Sequence, residues 1–169
     1  KRFVCIDIQG GGAGGRPTKD GRDGQDSHLT RFMNTPVEAE ELEYPILVER
    51  YEFIPDTGGA GKFRGAMALR RDFRALAEMT FSRYADRQKF PPFVVLGGKD
   101  GACGETRING VKAKAKGIDR LKEGDVVSLR TPGAGGYGPP SERDLDRVRQ
   151  DVRDGKVSPE AARRDYGLE

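Results

Sequence analysis

Histidine occurs once in the 169 residues, at His28, and cysteine twice, at Cys5 and Cys103. The sequence contains no zinc signature and no Ser/His/Asp nucleophile elbow. The two cysteines stand far apart without metal-ligand spacing, which reads as two reduced thiols in a reducing cytosol and not as a disulfide. No apolar run approaches the roughly 20 residues that a membrane span needs. No stretch resembles a secretory leader. An excess of charge of one sign is missing too: 30 Lys and Arg stand against 27 Asp and Glu, a net +3. A nucleic-acid binder gathers basic residues on one element without matching acids. The densest basic stretch here, 112–122, contains Asp119 and reads as a solvated ribbon. No nucleic-acid or membrane partner is therefore expected.

Apolar residues are scarce at 35%, beside 34% charged, so any core must be thin or the surface large. The length suffices for one globular domain. Glycine is abundant, at 24 residues, and falls in clusters at 10–15, 58–61, 97–101 and 133–138. Each cluster opens or closes a stretch that reads as a strand. Strands are expected at 3–8, 44–54, 68–75, 78–84, 93–96, 105–108 and 126–130, from runs of β-branched and aromatic residues between turn signals. Asn109-Gly110 suits a two-residue hairpin turn, where both positions need positive φ. The fold class implied is mainly β (α+β): a sandwich or barrel-like core of many short strands with glycine-rich loops and a C-terminal helical hairpin.

Past Pro139-Pro140 the pattern changes. Ser141 suits a helix N-cap, and Leu145, Val148 and Val152 form one narrow apolar stripe ending at Gly155. Ser158, Pro159 and Gly167 mark the start and stop of a second helix. The chain thus divides into a β-rich domain over 1–139 and a two-helix appendage over 140–169. Since the first residues already read as a strand, the chain is expected to be the C-terminal part of a larger subunit.

Gly10, Gly12 and Gly15 match the spacing of a dinucleotide fingerprint. That motif needs a helix at once, to aim its N-terminus at a pyrophosphate. Arg16-Pro17 and two Asp-Gly turns follow instead, so the loop reads as a place of close backbone approach. Asp20, Asp23, Asp26 and His28 form one cluster with catalytic potential, able in principle to bind metal or move protons. Their spacing fits no metal motif, and Asp-Gly pairs are also ordinary turn formers.

Several motifs in order carry a resemblance. Gly10 to Pro17, then Lys19-Asp20-Gly21 and Asp23-Gly24, lead to Asn34-Thr35-Pro36-Val37-Glu38 and Val48-Glu49-Arg50-Tyr51. The most specific run is Pro55-Asp56-Thr57-Gly58-Gly59-Ala60-Gly61-Lys62-Phe63-Arg64-Gly65. Lys122-Glu123-Gly124-Asp125, Thr131-Pro132-Gly133-Ala134-Gly135-Gly136-Tyr137-Gly138 and Val157-Ser158-Pro159-Glu160-Ala161-Ala162 complete it. The chain resembles the C-terminal part of the B-type subunit of the hydantoinase B/oxoprolinase family. The resemblance implies a cytoplasmic, ATP-dependent amidohydrolase complex that opens cyclic amides such as hydantoins or oxoproline. It implies an A-type partner subunit that binds most of the ATP, and a divalent metal held in the N-terminal part of the B-type subunit. Related complexes carboxylate ketones, and a non-catalytic assembly module is the third reading.

Within that frame the 20–34 loop is expected to contact a small-molecule substrate through Asp20, Asp23, Asp26, His28, Arg31 and Asn34. Many relatives carry an H-x-H-M-T-N-T pattern there. This chain keeps His28 and Thr30, but has Asp26 for the first histidine and Arg31 for an asparagine. Arg31 could pair with a substrate carboxylate or with Asp26.

Overall fold

The computed structural model describes residues 3–26, 34–94 and 96–169. Among these, seven strands form two antiparallel sheets: β1 Ile46–Ile54, β2 Ala68–Ala75, β3 Met79–Tyr84, β4 Glu105–Ile108, β5 Val111–Lys112, β6 Lys116–Leu121 and β7 Val126–Arg130. One sheet has the order β1-β2-β7-β4-β5, and β3 pairs with β6 in the other. Helix α1 spans Val37–Glu43, and α2 Leu145–Arg153 and α3 Pro159–Tyr166 follow the strands.

The period-2 alternation of strands sends β2 residues to opposite faces of the large sheet. Phe73 and Ala75 meet Val127, Leu129 and Ile108 on one face, and the β3–β6 pair covers them with Met79, Phe81 and Leu121. Phe73 and Phe81 touch edge to face, 5.7 Å between centroids. The opposite face is a charged lattice: Arg50 and Glu52 on β1, Arg70 and Asp72 on β2, Arg130 on β7, Glu105 and Arg107 on β4. Arg70 Nη2 reaches Asp72 Oδ2 at 2.6 Å there. This two-layer arrangement is the expected β sandwich-like core, with its helices at the C-terminus.

The four glycine clusters converge on one hub in which backbone packs on backbone. Gly15 N–H donates to Gly135 O, Gly59 N–H to Ala134 O, Lys99 N–H to Ala60 O, and Gly136 N–H to Lys99 O. A Cβ on Gly59 would stand 2.0 Å from Lys99 O, and one on Gly133 1.8 Å from Thr57 O. Only glycine lets these chains approach so closely.

The helices rest on this hub. Val148 of α2, Val157, and Ala161, Ala162 and Tyr166 of α3 bury themselves against Ala60. Burying Val148 completely contributes roughly 1.5–3 kcal/mol. Helix α3 starts as expected: Ser158 Oγ accepts the Ala161 N–H at 3.1 Å, and Gly167 ends it at φ 68°. Helix α2 starts later than expected. Residues Pro140–Glu142 make a 3-10 turn, and Asp144, not Ser141, accepts the Asp146 N–H as N-cap.

Other differences concern elements whose stability comes from distant contacts. Residues 3–8 form no strand, and no strand forms at 93–94. Helix α1, in a stretch to which the sequence assigned no element, has no side-chain cap but buries Glu40 against Arg71. The basic stretch from 112 to 122 contains β6, where Lys116, Ile118 and Arg120 are exposed while Leu121 enters the core.

Candidate functional site

The described residues of the 20–34 stretch lie in two places, Asp20 and Asp23 among buried arginines and Asn34 at a cleft. Asp20 and Asp23 are fastened. Arg143, almost wholly buried, grips the Asp20 carboxylate with both terminal nitrogens, Nη1 to Oδ1 at 2.6 Å and Nη2 to Oδ2 at 3.0 Å. The Arg64 backbone N–H donates to the same carboxylate at 2.6 Å. Arg143 Nη2 also donates to Asp151 Oδ2 of α2 at 2.6 Å. The buried Arg64 side chain reaches Asp23 Oδ1 at 3.3 Å and lies 3.7 Å from Asp151 Oδ2. Met67 N–H donates to Asp23 Oδ1 at 2.8 Å.

Three carboxylates thus face two guanidinium groups, and a third, that of the half-exposed Arg147, lies 3.9 Å from Asp20. Burial pushes the Asp20 carboxyl up, but the hydrogen bonds and charge of Arg143 outweigh it and hold Asp20 below its usual range. Bidentate, charge-assisted pairs of this kind are strong and directional. Their geometry ties the loop, the glycine hub and α2 together.

The far end of the loop borders a different place. Asn34, Tyr51, Phe53, Leu69 and Gly24 line a cleft of about 240 Å³ at the β1–β2 edge. The Asn34 amide donates to the Tyr51 phenol oxygen. Arg71 lies under the Tyr51 ring, 5.6 Å from its centroid, and is itself paired to Asp7 at 2.6 Å and to buried Glu40. Burial, and then the charge of Asp7, push the Tyr51 phenol above its usual value. It is therefore protonated at neutral pH. With Asn34 donating to its oxygen, the phenol keeps one hydrogen that it can itself donate.

Of the expected contact residues, Asp20 and Asp23 come together with Arg64 and Arg143, and Asn34 stands apart at the cleft. Asp26 packs against Gly10, where an added Cβ would meet its backbone at 2.9 Å. His28 and Arg31 lie outside the described residues. Tyr51 closes the Val48-Glu49-Arg50-Tyr51 motif but carries no signal of its own in the sequence; its place beside Asn34 depends on β1 pairing with β2.

Neither of the expected cofactors fits the described residues. No group of three His, Cys, Asp or Glu side chains among them converges as a metal donor set. Asp20, Asp23 and Asp151 come nearest, but guanidinium groups occupy the space a cation would need. The 133–138 loop offers no phosphate cradle either. The N–H groups of Gly133, Ala134, Gly136 and Tyr137 donate to the carbonyls of Ala102, Ala66, Lys99 and Phe63. No helix among the described residues is long and apolar enough to cross a membrane.

The family model for hydantoinase B/oxoprolinase matches residues 1–140. The chain is 46% identical to an uncharacterised protein of Methanocaldococcus jannaschii, over 79% of this chain and 24% of that one. It is 35% identical to the B subunit of a putative D-/L-hydantoinase from a Pseudomonas species, over 98% of this chain and 29% of that one. The crystal structure of ATP-dependent caprolactamase from Pseudomonas jessenii superposes with a TM-score of 0.82 at 28% identity, covering 94% of this chain and 29% of that one. The chain therefore belongs to the hydantoinase B/oxoprolinase family. It spans 24% and 29% of the length of these two curated relatives.

Proposed function

We propose that the chain is the C-terminal part of the B-type subunit of an ATP-dependent cyclic amidohydrolase, one that opens hydantoin- or oxoproline-like rings. The observation that carries this reading is its fit, along nearly its whole length, to a caprolactamase structure and to a hydantoinase B subunit. Its partners are the rest of its own subunit and an A-type subunit that binds the nucleotide, and it works in the cytoplasm. A divalent metal belongs to the N-terminal part of the B-type subunit.

An amide carbonyl is a poor electrophile; phosphorylating its oxygen lets water add to the carbon. The adduct then breaks the ring C–N bond as nitrogen takes up a proton, and a second water releases phosphate from the acyl phosphate left behind. The phosphorylation is assigned to the partner. What these residues do is hold the ring. The cleft of about 240 Å³ has an apolar floor of Phe53 and Leu69, suited to the faces of a small ring. The Tyr51 hydroxyl, oriented by Asn34, is placed to donate to a carbonyl oxygen there. His28 and Arg31 are proposed as further substrate contacts from the same loop. Asp20 and Asp23 serve the site indirectly, by fixing where the loop leaves the glycine hub. This arrangement also favours a scaffolding share for the segment, since its most buried charges pair with each other.

The test is substrate-stimulated ATP hydrolysis by the complete B-type subunit with its A-type partner, over hydantoins, oxoproline, caprolactam and small ketones. Stimulation by a cyclic amide without bicarbonate is the expected result. Stimulation only by a ketone with bicarbonate would place the enzyme with the carboxylases.

A further inference from the structure

A second cleft, of about 300 Å³, opens at one end of the charged face of the large sheet. Ile54, Ala68 and Ala102 form its apolar part, while Arg130, Lys112 and Glu105 bring charge to it. These charges do not close among themselves. Glu105 is taken by Arg107, which donates to it through Nε at 2.8 Å and Nη2 at 3.1 Å. Arg130 and Lys112 are left at the limit of ion pairing with Glu105, 3.9 Å and 4.0 Å away. The Arg130 side chain is 38% exposed, while its Nε is shielded from solvent and has no hydrogen-bond partner among the described residues.

The guanidinium fork matches the two oxygens of a carboxylate. Two cations therefore face a cleft whose one carboxylate is already neutralised from its outer side, and an apolar surface lies next to them.

We propose that this cleft binds a small organic carboxylate. Its charged end sits between Arg130 and Lys112, and its short apolar body rests on Ile54, Ala68 and Ala102. The site is separate from the Asn34–Tyr51 cleft and does not depend on the ring-opening reading.

Cys103, a free and exposed thiol, lines the same cleft and reports on it. The experiment follows maleimide modification of the Cys103 peptide by mass spectrometry in the complete protein. Butyrate, inorganic phosphate and chloride are compared at matched ionic strength, with butyramide as the neutral isostere. Butyrate is expected to slow modification severalfold and saturably, while chloride and butyramide leave it unchanged. Arg130→Gln is expected to abolish the protection and Lys112→Gln to weaken it. Lys112 is exposed on the short β5, so its replacement keeps the test available if Arg130→Gln does not fold. Protection by butyramide equal to that by butyrate, no protection by butyrate, protection by phosphate alone, or full protection in Lys112→Gln would each overturn the proposal.

Discussion

Arg143 and Asp20, 123 residues apart in the chain, are joined by two parallel hydrogen bonds of 2.6 and 3.0 Å. The same guanidinium binds Asp151, so one side chain fastens the first glycine loop to the C-terminal helices. Removing Arg143 leaves Asp151 with only the more distant Arg64, at 3.7 Å, and Asp20 with only Arg147, at 3.9 Å. Breaking a buried pair in this way costs about 3–5 kcal/mol. Arg143→Gln is expected to lower the urea midpoint accordingly. Asp20→Asn should cost less, because its side chain is 26% exposed against 1% for Arg143. The double variant should cost less than the sum of the two, which unfolding curves of all four proteins would measure.

Stability should fall at both ends of the pH scale. Burial pushes Asp20, Asp72 and Asp165 up, yet Arg143, Arg70 and Arg164 respectively, with lesser contributions from further neighbours, hold each below its usual range. Their contribution is complete above about pH 4, the unfolded value, and is lost as pH falls through the depressed values. Tyr166 behaves oppositely. Burial pushes its phenol up to about 12. That stabilisation is complete below about pH 10 and disappears as pH rises through the folded value. Thermal unfolding against pH should show a flatter acid limb in Asp20→Asn and a flatter alkaline limb in Tyr166→Phe.

The glycines should sort by what surrounds them. Gly59→Ala and Gly133→Ala place a methyl within 2.0 and 1.8 Å of a backbone oxygen and should prevent native folding, seen as loss of the cooperative unfolding transition. Gly110→Ala meets nothing within 4 Å. Its φ of 79° alone is unfavourable for alanine, at a cost of about 1–2 kcal/mol.

Much of the sheet was legible because its signals are local. The strands at 68–75, 105–108 and 126–130 coincide with β2, β4 and β7, and Asn109-Gly110 turns the β4–β5 hairpin with φ of 50° and 79°. Helix α1 was not legible. Its stability comes from Glu40 meeting Arg71 of β2 and Glu41 accepting the Val48 N–H at 2.7 Å, beside the bulge in β1. At the candidate site, composition pointed to Asp20 and Asp23 as a group. It could not show that their oxygens turn toward Arg143 and Arg64, because those partners lie far along the chain. The convergence of four glycine clusters was hidden for the same reason. Each cluster reads as a turn until its tertiary neighbour is known.

Tyr51→Phe removes the hydroxyl that Asn34 orients while leaving the ring over Arg71. In the complete enzyme it should lower kcat/KM for the cyclic amide by about 10-fold, the effect of roughly 1.4 kcal/mol, with little change in the unfolding midpoint. Asn34→Ala should act in the same direction. Unchanged kinetics in both variants would remove the cleft from the reaction.

The stoichiometry of the assembled enzyme's reaction is the decisive measurement. Ring-opened product and hydrolysed ATP would be measured together, with and without bicarbonate. Ring opening in proportion to ATP consumed, and indifferent to bicarbonate, is the expected result. ATP consumption that requires bicarbonate and yields a carboxylated ketone would contradict it.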